Sequence, residues 1–211
     1  MARTDSEQRP RILGAALGVF GDKGFGGATI RDIGKEAGVN SALLYYYFED
    51  KRALYLETIL TLLGEFFDRL EGSRGELPDA RARIRLLVDN LFGYYGENPL
   101  RARFMTDTII NHADLLGEAL NTLIRTRAAI PIQVLQEGMA RGELRPANPV
   151  HAWWSILGMS FFSIQIKDIL SKVNPTNFPF EFPDIEERRD QIVDLLLHGL
   201  ALPPAGEEEL R

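Results

Sequence analysis

The chain has no cysteine, which excludes disulfides, thiolate metal sites and cysteine nucleophiles. Histidine is nearly as scarce. His112, His151 and His198 show no H-E-x-x-H or similar ligand spacing, so no metal centre is expected. Ser160 lacks the second glycine of a nucleophile elbow, and no residue is assigned a catalytic role. Gly21, Gly24, Gly26 and Gly27 follow a helical pattern rather than a strand. They match neither G-x-G-x-x-G nor G-K-[ST], so they read as a flexible connection and no cofactor is called for. The first residues, MARTDSEQRPR, contain no apolar core of a secretory signal, which makes the cytoplasm the expected location.

Long apolar runs are also missing, with one near exception. Pro146 to Ile166 has no Asp, Glu, Lys or Arg and carries Trp153, Trp154, Phe161 and Phe162. Its helical part, from Val150, holds His151, Gln165 and three serines, and is marginal for a hydrocarbon core of roughly 30 Å. No membrane span is expected; the segment reads as a helix apolar on all sides, buried between other helices. There is no alternating strand pattern and no repeat, so the fold is expected to be all-α, with about nine helices.

At 45% hydrophobic and 26% charged residues the chain is an ordinary globular protein able to bury a core. The net charge of −6 argues, taken whole, against nucleic acid. It is unevenly spread. Residues 1–52 hold 8 Lys+Arg against 7 Asp+Glu, a net of +1, while residues 53–211 hold 16 against 23, a net of −7. A near-neutral module can bind DNA if its cations share one face.

Ala28 to Lys51 reads as two short helices about a tight turn. Thr29 is a good N-cap, and Asp32 three residues on completes a capping-box pattern. Ile30, Ile33 and Ala37 share one face, and Gly38 ends the helix in the left-handed conformation that glycine reaches without steric cost. Asn40 or Ser41 caps the next helix, whose Leu44 and Phe48 face inward. Asn40, Ser41, Ala42, Tyr45 and Tyr46 are then turned outward, and Asp50 caps a longer helix from Lys51. This is helix-turn-helix spacing, with a second helix small enough for a major groove.

The run TIRDIGKEAGVNSALLYYYFEDKRAL resembles the DNA-binding signature of TetR-type (tetracycline-repressor-like) regulators. Its Ala-Gly-Val, Leu-Tyr, Tyr-Phe and Lys-x-x-Leu elements stand in the family's register. The resemblance implies a three-helix DNA-binding module over 1–52 and a larger helical bundle over 53–211 for effector binding and dimerisation. Asn40 and Ser41 suit base edges, while Ala42 and the Tyr45 ring suit a thymine methyl. Arg31 matches a family position that reaches a guanine edge. Thr29, Tyr46, Tyr47 and Lys51 would position the phosphates. Arg3, Arg9 and Arg11 either touch the DNA backbone or form a solvated arm.

Further along, Ile84, Leu87, Val88, Leu91, Phe92 and Tyr95 lie on one helical face, with Arg81, Arg83, Arg85 and Asp89 towards water. Asn98-Pro99 starts a new helix, and Pro131 kinks or breaks the one from Leu115 to Arg141. Gly142-Glu143-Leu144-Arg145, then Asn148-Pro149, resembles the family's junction between two late helices, with Asn for the usual Asp. Asn174 to Pro183 reads as a proline-rich loop and Leu202 onward as a frayed tail.

By resemblance, the last two helices make a homodimer on a pseudo-palindromic operator. Independently, an apolar helix over 150–170 beside an amphipathic one over 185–200 suits a four-helix contact between protomers. An apolar cavity with a few polar groups would take a small lipophilic effector. Its candidate lining is Phe67, Phe92, Tyr95, Met105, Ile109, Trp153, Met159 and Phe162, with Asn111, His112 or Gln165 as polar contacts. The implied function is a ligand-responsive transcriptional regulator, a repressor released by its effector. Two other readings stand beside it: a helical ligand carrier, and a constitutive DNA-binding protein without effector control.

Overall fold

The computed structural model describes residues 5–124, 126–170 and 184–200. Those residues form ten α-helices, one π turn and no strand. In chain order they are α1 (Asp5–Gly27), α2 (Ile30–Ala37), α3 (Ser41–Tyr47), α4 (Lys51–Gly72), α5 (Ala80–Leu91), the π turn Phe92–Gly96, α6 (Pro99–Asn111), α7 (Ala113–Leu123), α8 (Ile130–Ala140), α9 (Pro149–Leu170) and α10 (Ile185–Leu200). The loop expected at Asn174 to Pro183, the tail from Leu202 and Arg3 lie outside the described residues.

The chain divides into two compact units, Met1–Phe67 with Asn98–Ala128, and Asp68–Glu97 with Ala129–Arg211. This division does not follow residue 52, because α6 joins the first unit by packing on α1. At that crossing a Cβ on Gly21 would stand 2.8 Å from the Leu100 carbonyl oxygen, so only glycine lets the two backbones approach so closely. The expected flexible glycine connection is therefore a packing site at Gly21. At Gly24 (φ 67°, ψ 170°) the chain kinks into a last turn that delivers Thr29.

The first unit's core joins Ile12, Ala16 and Phe20 of α1 to Ile33, Leu44, Tyr55, Ile59 and Phe104, all fully buried or nearly so. Phe20, Tyr55 and Phe104 meet ring to ring at 4.8–6.3 Å. Caps follow the local sequence. Asn98 accepts from Leu100 N–H (3.1 Å) with Pro99 in the first turn of α6, the Pro placement that sacrifices no helical hydrogen bond. Pro131 opens α8 in the same way, so the long helix expected from Leu115 to Arg141 is broken into α7 and α8.

The second unit packs α5, the π turn, α8, α9 and α10 around Ile84, Leu87, Val88, Leu91, Val134, Leu135, Ile156 and Ile192. Two expectations fail here. Arg83 does not face water: its side chain is 1% exposed, with Nε donating to Glu143 (2.5 Å) and Glu137 3.6 Å away. Burying that guanidinium is tolerable because carboxylates and the Val134 and Leu77 carbonyls take up its donors. The helix α9 is not buried on all sides either. Ala152, Ile156, Ser160 and Ser163 face the unit's interior, whereas Trp154 (62%) and Phe162 (67%) are exposed. Among the described residues no helix is long and apolar enough to cross a membrane.

Candidate nucleic-acid interface

The geometry of α2 and α3 follows from side chains that satisfy helix ends. Thr29 Oγ1 accepts the Asp32 N–H (3.1 Å), and Asp32 Oδ2 accepts the Thr29 N–H (3.1 Å) and hydroxyl (2.8 Å). These hydrogen bonds, and Lys23 at 3.3 Å, hold the Asp32 carboxyl below its usual value despite some burial cost. Gly38 ends α2 at φ 62°, ψ 39°, and its N–H returns to the Gly34 and Lys35 carbonyls. The N-cap left open by the sequence is Asn40, whose Oδ1 accepts Leu43 N–H at 2.9 Å. Leu44 and Phe48 then anchor α3 inward.

The opposite side of α3 is open. Tyr45 is 57% exposed and Tyr46 73%, while Ala42 is exposed and Ser41 half-buried. Arg31 is exposed on α2 and Thr29 just before it. Capping consumes the Asn40 oxygen, so its amide N–H groups are what it can offer a base. Tyr47 is half-buried and lies edge-on to Tyr46 (5.1 Å) and tilted against Phe48 (6.3 Å). An open groove of about 930 Å³ runs beside these residues, walled by Arg11, Asn40, Ala42, Tyr46 and also Gln8, Val39 and Leu43. Gln8 escaped the sequence reading, since α1 meets this turn only in the folded unit.

Three cations are more committed than the sequence implied. Lys51 Nζ donates to the Phe25 (2.8 Å) and Ala28 (3.1 Å) carbonyls and sits 4.3 Å from the Phe25 ring centre. Arg11 donates to the Ala37 carbonyl and to Gly38 O at 3.1 Å, a cation at the negative end of α2. Arg9 pairs with Glu57 at 2.8 Å and lies over the Phe48 ring. Neither arginine is a free solvated arm: Arg9, exposed, ties α1 to α4, and Arg11, half-buried, ties α1 to the end of α2.

The candidate effector residues are not gathered in one unit. Phe67 and Met105 are buried in the first, Phe92 and Tyr95 in the second. Trp153 and Met159 are half-buried on α9. Ile109 (45%) and Phe162 face outward, contrary to a shared apolar lining, because the helical stripe that carries them is not the one packed inward. Gln165 is half-buried. His112 packs edge-on against Phe25 (4.9 Å) and Tyr55 (5.1 Å), with Nε2 3.7 Å from Asp107. Asn111 donates to Asp107 Oδ1 at 2.8 Å. Burial raises the Asp107 carboxyl, but hydrogen bonds from Asn111, the Phe25 N–H and Tyr55, with the His112 charge, outweigh it and leave it below its ordinary value. The Tyr55 hydroxyl is pushed up, by burial first.

Residues 12–58 match the family model described as bacterial regulatory proteins, tetR family. The chain is 24% identical over 205 residues to the HTH-type transcriptional repressor NicS of Pseudomonas putida, covering 94% of this chain and 95% of that one. It is 25% identical over 144 residues to the fatty acid metabolism regulator protein of Bacillus subtilis, covering 66% of this chain and 73% of that one. Among solved structures, the regulator FadR of Bacillus subtilis in complex with stearoyl-CoA superposes with a TM-score of 0.75 at 20% identity, covering 90% of this chain and 98% of that one.

Proposed function

The chain belongs to the TetR family of bacterial regulators, and from that premise we propose that it is a repressor that grips an inverted-repeat operator as a homodimer. Residues 1–52 read the DNA; residues 53–211 bind the effector and dimerise. The observation that carries this reading is the outer side of α3, where Tyr45 and Tyr46 stand in solvent beside the Asn40 cap. A helix anchored by Leu44 and Phe48 has no folding reason to expose two aromatic rings, and hydroxyl-bearing rings suit phosphates and base edges.

Thr29, Arg31, Asn40, Ser41, Ala42, Tyr45, Tyr46 and Tyr47 make the contact. Lys51, with two of its three donors turned inward, positions the corner before α2 and has one N–H left for a phosphate. The exposed stripe of Val150, Trp154 and Phe162 on α9, with Leu195 on α10, supports self-association through the last two helices, since isolated monomers seldom show such apolar stripes. The effector is small and lipophilic, drawn to Phe92, Tyr95, Trp153 and Met159 of the second unit. A long-chain acyl thioester is the first class to test, because the Bacillus subtilis relative of like fold holds stearoyl-CoA. A cytoplasmic location follows from a DNA target.

Selection of DNA with the purified protein, then a salt titration, tests the reading. An inverted repeat is expected, with affinity falling steeply with salt. Asn40→Ala and Tyr45→Ala should each weaken operator binding about tenfold and blur base preference in the half-site. Recovery of random sequence, or variants that bind as the parent does, would leave the carrier reading standing. Operator affinity unmoved by stearoyl-CoA and by shorter acyl thioesters would remove that effector class.

A further inference from the structure

One carboxylate on α6 grips the corner from which the helix-turn-helix departs. Asp107 Oδ2 accepts the Phe25 backbone N–H at 3.3 Å and the Tyr55 hydroxyl at 3.1 Å. Phe25 lies one residue past the kink at Gly24, in the last turn of α1 that leads to Thr29 and α2. A Cβ on Gly24 would stand 3.7 Å from Asp107 Oδ1, so the kinked backbone lies directly against the carboxylate. The carbonyl of the same Phe25 is held from the other side, by Lys51 of α4. Its ring is enclosed by Tyr55, His112 and the Lys51 ammonium. Phe25 therefore has its N–H fastened to α6, its carbonyl fastened to α4 and its ring clamped between them. Tyr55, the second donor to Asp107, also bonds Thr108 at 2.9 Å, which doubles the tie between α4 and α6.

We propose that Asp107 is a positioning residue for operator recognition: by holding Phe25 and Tyr55 to α6 it sets the angle at which α3 is presented, and so the half-site spacing the dimer accepts. Asp107 touches no DNA. It acts through the α1–α2 corner and the first turns of α4, the two attachments of the helix-turn-helix. With both attached to one carboxylate, the module cannot swivel on α6 without breaking two hydrogen bonds to a charged acceptor, which are stronger than neutral ones. Adding or removing one base pair between half-sites turns one against the other by about 35°. A swivelling module absorbs that turn; a latched one does not.

The inference rests on the reading of a dimer on an inverted repeat, and the experiment separates the two. Full-length protein is titrated against the selected operator and against versions with the central spacer one base pair longer or shorter, for the parent and for Asp107→Asn, Asp107→Leu and Asp107→Ser. The parent should prefer the selected spacing by about tenfold or more, the scale of one lost base contact. Asp107→Leu, which accepts no hydrogen bond, should reduce that preference to about threefold or less, with half-site base preference unchanged. Asp107→Asn keeps an acceptor oxygen and should retain most of the discrimination. Asp107→Ser is too short to reach Phe25 and should behave as Asp107→Leu, which keeps the test open if the leucine variant does not fold. A role in stability alone would lower the melting temperature and weaken all three operators in proportion. That outcome, or undiminished spacing preference in the leucine and serine variants, overturns the proposal. A parent without any spacing preference overturns the dimeric reading instead.

Discussion

Two helices of this protein show aromatic rings to solvent to almost the same degree. On α3 the rings are Tyr45 (57%) and Tyr46 (73%); on α9 they are Trp154 (62%) and Phe162 (67%). Exposure alone does not distinguish them, but their surroundings do. The α3 rings carry hydroxyls and rise from a seven-residue helix capped by Asn40, with Arg31 exposed on the preceding helix. The α9 rings continue an apolar stripe that includes Val150, on a segment with no Asp, Glu, Lys or Arg from Pro149 to Ile166. A charged, hydrated polymer suits the first face; a second apolar face suits the other. Equal exposure therefore points to opposite partners.

The comparison breaks most visibly on α9. Phe162→Glu should turn a dimer into a monomer in sedimentation, and operator affinity should fall about a hundredfold or more as the second half-site contact is lost. A dimer that survives the change would mean that the apolar stripe serves something else. Arg83→Met asks whether the second unit can lose stability without losing its reading of DNA. Leaving Glu143 beside an apolar side chain should cost about 3 kcal/mol in denaturant unfolding, with half-site base preference intact. On the other face, Tyr46→Phe removes only a hydroxyl. It should weaken operator binding a few-fold and leave the sedimentation of the dimer unchanged.

Smaller effects sharpen the local picture. Thr29→Ala removes the cap of α2 and should cost about 1 kcal/mol in thermal or denaturant unfolding. The Asp107 carboxyl lies below its usual value in the folded protein, so its ionised form adds stability above the ordinary carboxylate range. That contribution is lost as pH falls through the depressed folded value. The gap in melting temperature between the parent and Asp107→Asn should be full near neutrality and should shrink below about pH 4. A gap that stays constant to pH 2 would mean that the charge contributes nothing.

The helix-turn-helix was legible because its signals are local. Thr29 with Asp32, Gly38 and Asn40 each satisfy a backbone group within a few residues, so composition and spacing are enough to read them. The face of α3 was legible for the same reason, once Leu44 and Phe48 marked its inner side. The second unit was harder. Arg83 stands between Arg81 and Arg85 and looks like part of a solvated face; its partner Glu143 is 60 residues away and invisible to any periodicity. The π turn at Phe92–Gly96 buries both Tyr94 and Tyr95, whereas an uninterrupted α-helical pattern placed only Tyr95 inward. Nothing near Lys51 in sequence shows that the Phe25 and Ala28 carbonyls come within its reach.

By itself the sequence determined most of the helix starts and stops and the helix-turn-helix that the first of them compose. Caps, glycine stops and proline starts act over one helical turn, and the hydrophobic period acts over three or four. Tertiary structure alone decided which charges are buried, which apolar stripe stays outside and which carbonyls hold Lys51 and Arg11. Those outcomes depend on chain segments that meet only after folding, where desolvation and hydrogen bonding reward partners that distance along the chain conceals.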